Sequence, residues 1–371
     1  MTRSQSRTRL LLSLVVEPGD PRLVAWRERC DPVELWQAVV RGGPEIPGPW
    51  HEAAAEAPRR ADHAVRRAEE AGARWVVPGS SAWPVALDDL DQIDGIGQVA
   101  GAPLGLWVRG GGDLSSIAAA PVAVVGARGC TTYGAEAASD IAADCADQGH
   151  AVVSGAAFGI DACAHRGALL AGGPTVAVLA CGVDVDYPKA HAALLRRIGE
   201  EGLVISEFAP GAEPQRHRFL VRNRLIAALS VGVVVVEAAR RSGSLNTLHW
   251  ADQLGRTTMV VPGPITSQAS RGTHLAVRDG KALLVTSGRD VVADTFGVVD
   301  ADLPAISPAA RRVWLRLGAE PQPAEQVAAA LRLSPVPVLR ALRELERHAV
   351  VVGDGNGWRR DRVPGGVQGV G

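Results

Sequence analysis

The sequence predicts an α/β protein built on a doubly wound, mostly parallel sheet, with a helical region before it and a small helical domain after it. Three observations carry this reading. From position 122 onward, short runs rich in β-branched residues recur, and they are nearly continuous in apolar character. Strands buried on both faces of a parallel sheet read this way, whereas half-exposed strands alternate. Amphipathic stretches of helical length lie between the runs, and strand–helix alternation is the pattern of an open parallel sheet. Past Ile306 the apolar runs give way to helical periodicity.

Residues 1–100 come first and read as a helical domain with a lead-in to the core. LLLSLVV, DPVELWQAVV and HAVRRAEEAG are short helices, separated by PGDP, GGPEIPGP and a Pro-flanked Trp83. The opening apolar run is followed by Glu17, Pro18 and Asp20 without a small-residue cleavage site, so it is expected to be a helix and not a secretory signal. Nowhere is there an uncharged apolar run of the ~18 residues a membrane span needs, and no membrane insertion is expected.

The core is expected over 101–297. Its strands are VAVVG (122–126), AVVSG (151–155), TVAVLACG (175–182), LVISE (203–207) and VGVVVVEA (231–238). TTMVVPG (257–263) adds a sixth, and ALLVTS (282–287) is the candidate seventh. The helix YGAEAASDIAADCADQG ends at Gly149, a residue that suits a helix C-terminus. A linker over 298–305 leads to SPAARRVWLRLG, PAEQVAAALRL and SPVPVLRALRELERHA, three helices, then to a hairpin in VVVGDGNGWRRD turning at residues 353–357. Three helices and a hairpin are the order of a winged helix-turn-helix, expected over 306–362. Residues 363–371 read as a flexible tail.

Bulk chemistry narrows the function. The 371 residues are 47% apolar and carry a formal net charge of −1, so the protein has no overall basic field. A nucleic-acid contact would have to come from local Arg clusters. Five cysteines without C-x-x-C spacing suggest reduced thiols and a cytoplasmic protein. The nine histidines are dispersed and no Walker A motif is present, so neither a metal site nor NTP hydrolysis of that type is expected.

Ligands of open parallel sheets bind beyond the carboxyl ends of the strands. After the first run, Gly126 lets a phosphate approach the backbone and Arg128 can add a bidentate fork. The loop is not G-x-G-x-x-G, and the second run ends in Ser154-Gly155 instead of a ribose-gripping acid, which disfavours a dinucleotide cofactor. Asp161 is expected to cap the next helix, with His165 as its hydrogen-bonded partner one turn on. Tyr187, after the third run, can stack on a base or pack in a turn. After the fourth run come Arg216, Arg218, Arg222 and Arg224, four arginines in nine residues, with Asn223 among them. Phe219, Leu225, Ile226 and Leu229 fall on one helical stripe that Arg218 and Arg222 share, so these charges meet either an anionic ligand or salt bridges to acids such as Glu207 or Glu237. After the fifth run, Ser242-Gly243-Ser244 is either an anion cradle or a Ser N-cap. Together the five turns favour a phosphate-rich ligand.

These motifs in this order resemble the DprA/Smf family: VAVVGAR (122–128), VVSGAAFGIDACAH (152–165), CGVDVDYP (181–188), ISE (205–207), FLVRNR (219–224), SGSLNT (242–247), ADQLGR (251–256) and VPG (261–263). The resemblance covers residues 1–297 and extends to a similar winged-helix tail. It implies a Rossmann-like core that binds single-stranded DNA without sequence preference, dimerises and loads RecA recombinase in natural transformation, with no catalysis and no cofactor. By position it assigns Arg128, Arg222, Asn223 and Arg224 to a basic DNA pocket, with Arg216 in a basic position and Ser154 and Gly155 lining the same pocket. Four residues depart from the pattern: Ala127 for Ser, Leu220 for the Pro that would fix the entry of the Arg helix, Leu248 for Ala, and Lys281 for Ala.

Two rivals stand beside this reading. Hydrolases of nucleoside monophosphates share Gly-rich phosphate turns, but need Gly-Gly-x-Gly-Thr followed by a Glu, where this chain has SGSLNT and then Leu248-His249-Trp250. A transcription regulator rests on the winged helix alone, whose third helix aligns Arg340, Arg343 and Arg347.

Overall fold

A computed structural model describes residues 3–296, 306–318, 320–331, 333–354 and 356–360. The expected linker and tail lie outside these.

The centre is a nine-stranded sheet. In chain order its strands are β1 (Ala73–Val76), β2 (Leu106–Arg109), β3 (Val122–Val125), β4 (Val152–Ser154), β5 (Thr175–Val178), β6 (Leu203–Ser206), β7 (Gly232–Val235), β8 (Thr257–Val260) and β9 (Leu283–Leu284). Their order across the sheet is β1-β2-β6-β5-β4-β3-β7-β8-β9. The seven strands from β3 to β9 are parallel and match the seven apolar runs. Every residue of β3 to β7 is buried, as expected for strands covered on both faces.

The remaining two strands were not expected. β1 pairs antiparallel with β2, and β2 antiparallel with β6. β1 is ARWV, four residues between a helix and a Pro-containing turn, too short to reveal a period. The region before the core is therefore not helical throughout. Its helices Arg3–Ser13, Pro21–Arg27, Pro32–Arg41, Gly48–Ala54 and Ala57–Glu70 lead directly into a strand of the central sheet. Asp31 caps the third of these in a reciprocal capping box with Glu34.

The chain runs from β3 outward to β6, then crosses back to place β7 on the other side of β3. Such a reversal opens a crevice at the carboxyl ends of the two central strands. The amide of Ala127, just past β3, donates to the carbonyl of Glu237 just past β7 at 2.8 Å and holds the crevice walls together.

The C-terminal residues form helices Pro308–Arg316, Ala324–Leu331 and Pro335–Arg347 around their own apolar cluster, which includes Val313, Leu342 and Leu345. β10 (Val351–Asp354) and β11 (Gly357–Arg360) follow as an antiparallel hairpin. Pairing extends to Asp354 opposite Gly357, so the turn is tighter than the five residues expected. No helix among the described residues is long and apolar enough to cross a membrane.

Candidate functional site

A cleft of about 640 Å³ opens at the carboxyl ends of the parallel strands, lined in part by Gly126, Arg128, Arg216, Arg222 and the Ser242–Ser244 turn. Each of the five turns read from the sequence reaches this region, but the residues divide sharply in what they do.

Arg128 is exposed at the cleft wall, with its guanidinium 4.5 Å from the ring centroid of Phe219. The Phe219 ring in turn lies 5.7 Å from that of Tyr187. Cation over ring, beside a second ring, makes a ledge that is both cationic and aromatic. Phe158 and Tyr187 are 49% and 38% exposed, so the aromatic surface is open to a planar ligand. These two faces and Phe219 flank a narrow annex floored by Gly155 and Ala156. Helical periodicity marks Phe219 as core and gives no signal for Phe158. The signal for both was position, since each aromatic sits at a strand's ligand end among Gly and Arg.

Arg222 enters the floor of the cleft from helix Arg218–Leu229 and is almost fully buried. Its Nη1 donates to the carbonyl of Val178 at 2.5 Å, while Nε has no partner among the described residues. Burial lowers the Arg222 pKa, opposed by nearby Asp161. Burial likewise raises the Asp161 carboxyl, opposed chiefly by Arg222. A guanidinium held in low dielectric is screened less than one in water, so its charge acts on a ligand in the cleft. The expectation that Asp161 caps its helix is corrected: Gly159 occupies that position, and the Asp161 carboxylate accepts from the amide of Ala157 in the first turn. The expected Asp161–His165 pair is also not made. His165 is fully buried and bonds the hydroxyl of Thr175 at 2.7 Å, leaving burial to depress its pKa to about 3.

Three assigned pocket residues turn inward. Arg224 is fully buried, forms a 2.8 Å ion pair with Glu207 and donates to the carbonyl of Gly101. Of the two alternatives left open for the arginines, Arg224 takes the salt bridge. Ser154 is fully buried with its hydroxyl on the carbonyl of Val124, beneath the cleft. Asn223 borders the cleft, yet its amide donates to the carbonyl of Gly243 at 3.2 Å and so braces the neighbouring turn. Arg218 is shared between Glu17, the carbonyl of Glu213 and the face of Phe208. The single apolar stripe expected for this helix is absent. All residues from Val221 to Leu229 are buried, because the helix packs between the sheet core and the Val85–Asp91 turn.

The Ser242–Ser244 turn opens helix Ser244–Gln253, whose cap residue Gly243 supplies no side chain. The hydroxyls of Ser242 and Ser244 are 2.8 Å apart at the cleft edge. A ten-residue helix directs its positive end and amides here. Leu220, the departure that replaces Pro, is 47% exposed at the rim, and its amide donates to the carbonyl of His217, a bond Pro cannot make. Among the described residues, no group of acids, Cys and His has the arrangement of a metal site.

Comparison with known proteins agrees with this architecture. Residues 74–296 match the family model described as DNA recombination-mediator protein A. A Mycobacterium tuberculosis protein bearing the DprA name is 40% identical over 96% of this chain and 94% of its own length. The Streptococcus pneumoniae DNA processing protein DprA is 43% identical over 56% of this chain and 72% of its own length. The X-ray structure of DprA from Streptococcus pneumoniae superposes with a TM-score of 0.65 and 32% identity, covering 80% of this chain and 99% of its own. A Helicobacter pylori DNA processing protein A, whose structure describes a single-stranded DNA binding mode, gives 0.50 and 27% identity over 59% of this chain and 94% of its own. The chain belongs to the DprA/Smf family of DNA recombination-mediator proteins.

Proposed function

We propose that this protein binds single-stranded DNA in the cleft, without sequence preference, and passes the strand to RecA recombinase. The observation that carries the reading is the pairing of a buried guanidinium, Arg222, with an exposed aromatic ledge under Arg128. Phosphates suit the arginines and the amides of the Ser242–Ser244 turn. Bases suit Phe219, Tyr187 and Phe158, since every base has a face to stack and each stack is worth about 1–3 kcal/mol. The single-stranded DNA binding mode described for the Helicobacter pylori relative supports the same ligand.

On this reading the cleft holds and protects a strand and performs no chemistry on it. The protein acts in the cytoplasm as a homodimer. Support for self-association is the sheet edge: among the described residues β9 pairs only with β8, and Leu283 and Leu284 are each 51% exposed there. An apolar open edge is a ready surface for another chain. The three C-terminal helices and hairpin are a winged-helix domain in this scheme, with Arg340, Arg343 and Arg347 exposed along its third helix for docking a protein partner.

The test is fluorescence anisotropy with labelled oligo-dT and a duplex of equal length across a salt series. Preference for the single strand, weakening as salt rises, is expected. Failure of oligo-dT to bind would sink the reading and make nucleoside monophosphate turnover the next assay.

A further inference from the structure

Helix Ala57–Glu70 has a feature that the cleft does not absorb. Its inner face is alanine: Ala57, Ala61, Ala64 and Ala68 are all buried, the last three in a cluster that includes Leu10 and Leu14. Its outer face carries Arg59, Arg60, His63 and Arg66, all exposed. Glu56, Asp62 and Glu70 share that face; Asp62 pairs with Arg7 at 2.6 Å, and Glu56 lies 3.8 Å from Arg59. Arg60 and Arg66 have no carboxylate within ion-pair distance among the described residues.

The helix is fixed beside the ligand edge of the sheet. Arg67 grips the carboxylate of Asp184, at 2.6 Å from Nη2 and 2.8 Å from Nε. The other oxygen of Asp184 accepts from the amide of Gly211 at 2.8 Å. One carboxylate thus ties the helix to the loop after β5 and to the loop after β6. The second of these loops joins two clefts. Its residues Ala209–Ala212 wall a groove of about 640 Å³ whose other side is the basic face of the helix. A few residues further on, Pro214 and Arg216 line the cleft already described.

We propose that a single strand bound in the first cleft continues over the Ala209–Arg216 loop and lays its phosphate backbone along Arg60, His63 and Arg66. This rests on the single-strand reading of that cleft. The chemistry favours a polyanion over a protein partner: Arg60 and Arg66 have no ion pair among the described residues, lie on the exposed side of the helix, and wall a groove that shares the Ala209–Arg216 loop with the anion cleft. Phosphates then contribute affinity without sequence preference. The helical region thereby lengthens the site, so its contribution depends on strand length.

The test compares the full chain with the Arg60→Ala/Arg66→Ala protein, using oligo-dT of about 4 and about 16 nucleotides, the range of site sizes known for single-strand grooves. The short strand should bind both proteins equally. The long strand should bind the variant several-fold more weakly, with a salt slope flattened by about 1.4 for two lost phosphate contacts. Arg60→Lys/Arg66→Lys should restore both quantities. Unchanged binding of the long strand, with the short strand still held, would overturn the path, leave the cleft reading intact and assign the stripe to a protein. Equal weakening at both lengths would also overturn it, as a general loss of charge. If the wild type holds neither length, the cleft reading fails and this inference with it.

Discussion

The guanidinium of Arg222 occupies the space into which any side chain at position 155 would project. Gly155 is required by this close approach alone, with no left-handed backbone involved. A methyl group there must push the guanidinium off the carbonyl of Val178. Gly155→Ala is therefore expected to act as a DNA-binding lesion, lowering oligo-dT affinity as far as Arg222→Ala does. Overpacking should also cost about 1–3 kcal/mol of stability. Anisotropy and urea unfolding on both single variants and the double check this. The double variant should bind no more weakly than either single, since both remove one contact.

Arg128 and Arg222 offer a contrast in burial. Each is expected to contact a phosphate, so alanine at either position should flatten the single-strand salt slope by about 0.7. Stability should separate them. Arg128 is exposed, and its loss should shift stability by no more than about 0.5 kcal/mol. Arg222→Met should keep the packed stem and lose the phosphate contact, and it should lower stability, because buried Asp161 loses the cation that offsets its desolvation and the carbonyl of Val178 loses its donor. A Met variant with normal binding would remove Arg222 from the interface.

Arg224 is two residues from Arg222 and is expected to behave oppositely. Its pair with Glu207 lies wholly inside the protein. Arg224→Ala leaves an uncompensated buried carboxylate, at a cost of about 3–5 kcal/mol. Equilibrium unfolding should register that loss. At a temperature where the variant is fully folded, oligo-dT affinity should match the wild type.

This contrast marks where the sequence stops being legible. Parallel strands announce themselves through uninterrupted apolar runs, and all seven were readable, together with the turns that follow them. Two features were not. β1 is four residues long with a Trp and an Arg, and its strand state comes from pairing with β2, a tertiary contact no local period encodes. The Arg-Asn-Arg triplet sits on a helix buried on every side from Val221 to Leu229, so periodicity gives no inward or outward face. Motif position assigned Arg222, Asn223 and Arg224 alike, whereas packing sends one to the cleft, one to a neighbouring turn and one to Glu207.

Self-association can be tested at the open sheet edge. Leu284→Glu places a charge in the middle of the exposed pair on β9 without touching the cleft. Light scattering after size exclusion should report a dimer for the wild type and a monomer for the variant. A short strand should still bind the monomer. A variant that stays dimeric would move the interface elsewhere.

His165 makes stability depend on pH in a defined direction. The Thr175 hydroxyl donates its single proton to the carbonyl of Val152, so the contact with His165 must be a donation from Nδ1–H. Nε2 is then an unprotonated nitrogen, buried and without a partner among the described residues. Protonating it inside the protein is disfavoured by burial first and by the charge of Arg222 second, which holds the pKa at about 3 against an ordinary 6.5. The unfolded chain therefore binds a proton that the folded one refuses. The contribution is complete above pH 6.5 and is lost as pH falls toward 3, at up to about 1.4 kcal/mol per pH unit. His165→Asn keeps an N–H to offer Thr175 and cannot titrate. Urea unfolding between pH 7 and pH 4 should give a shallower loss for this variant than for the wild type. Equal slopes would mean that other groups carry the acid sensitivity and that His165 is free to take up its proton in the folded state.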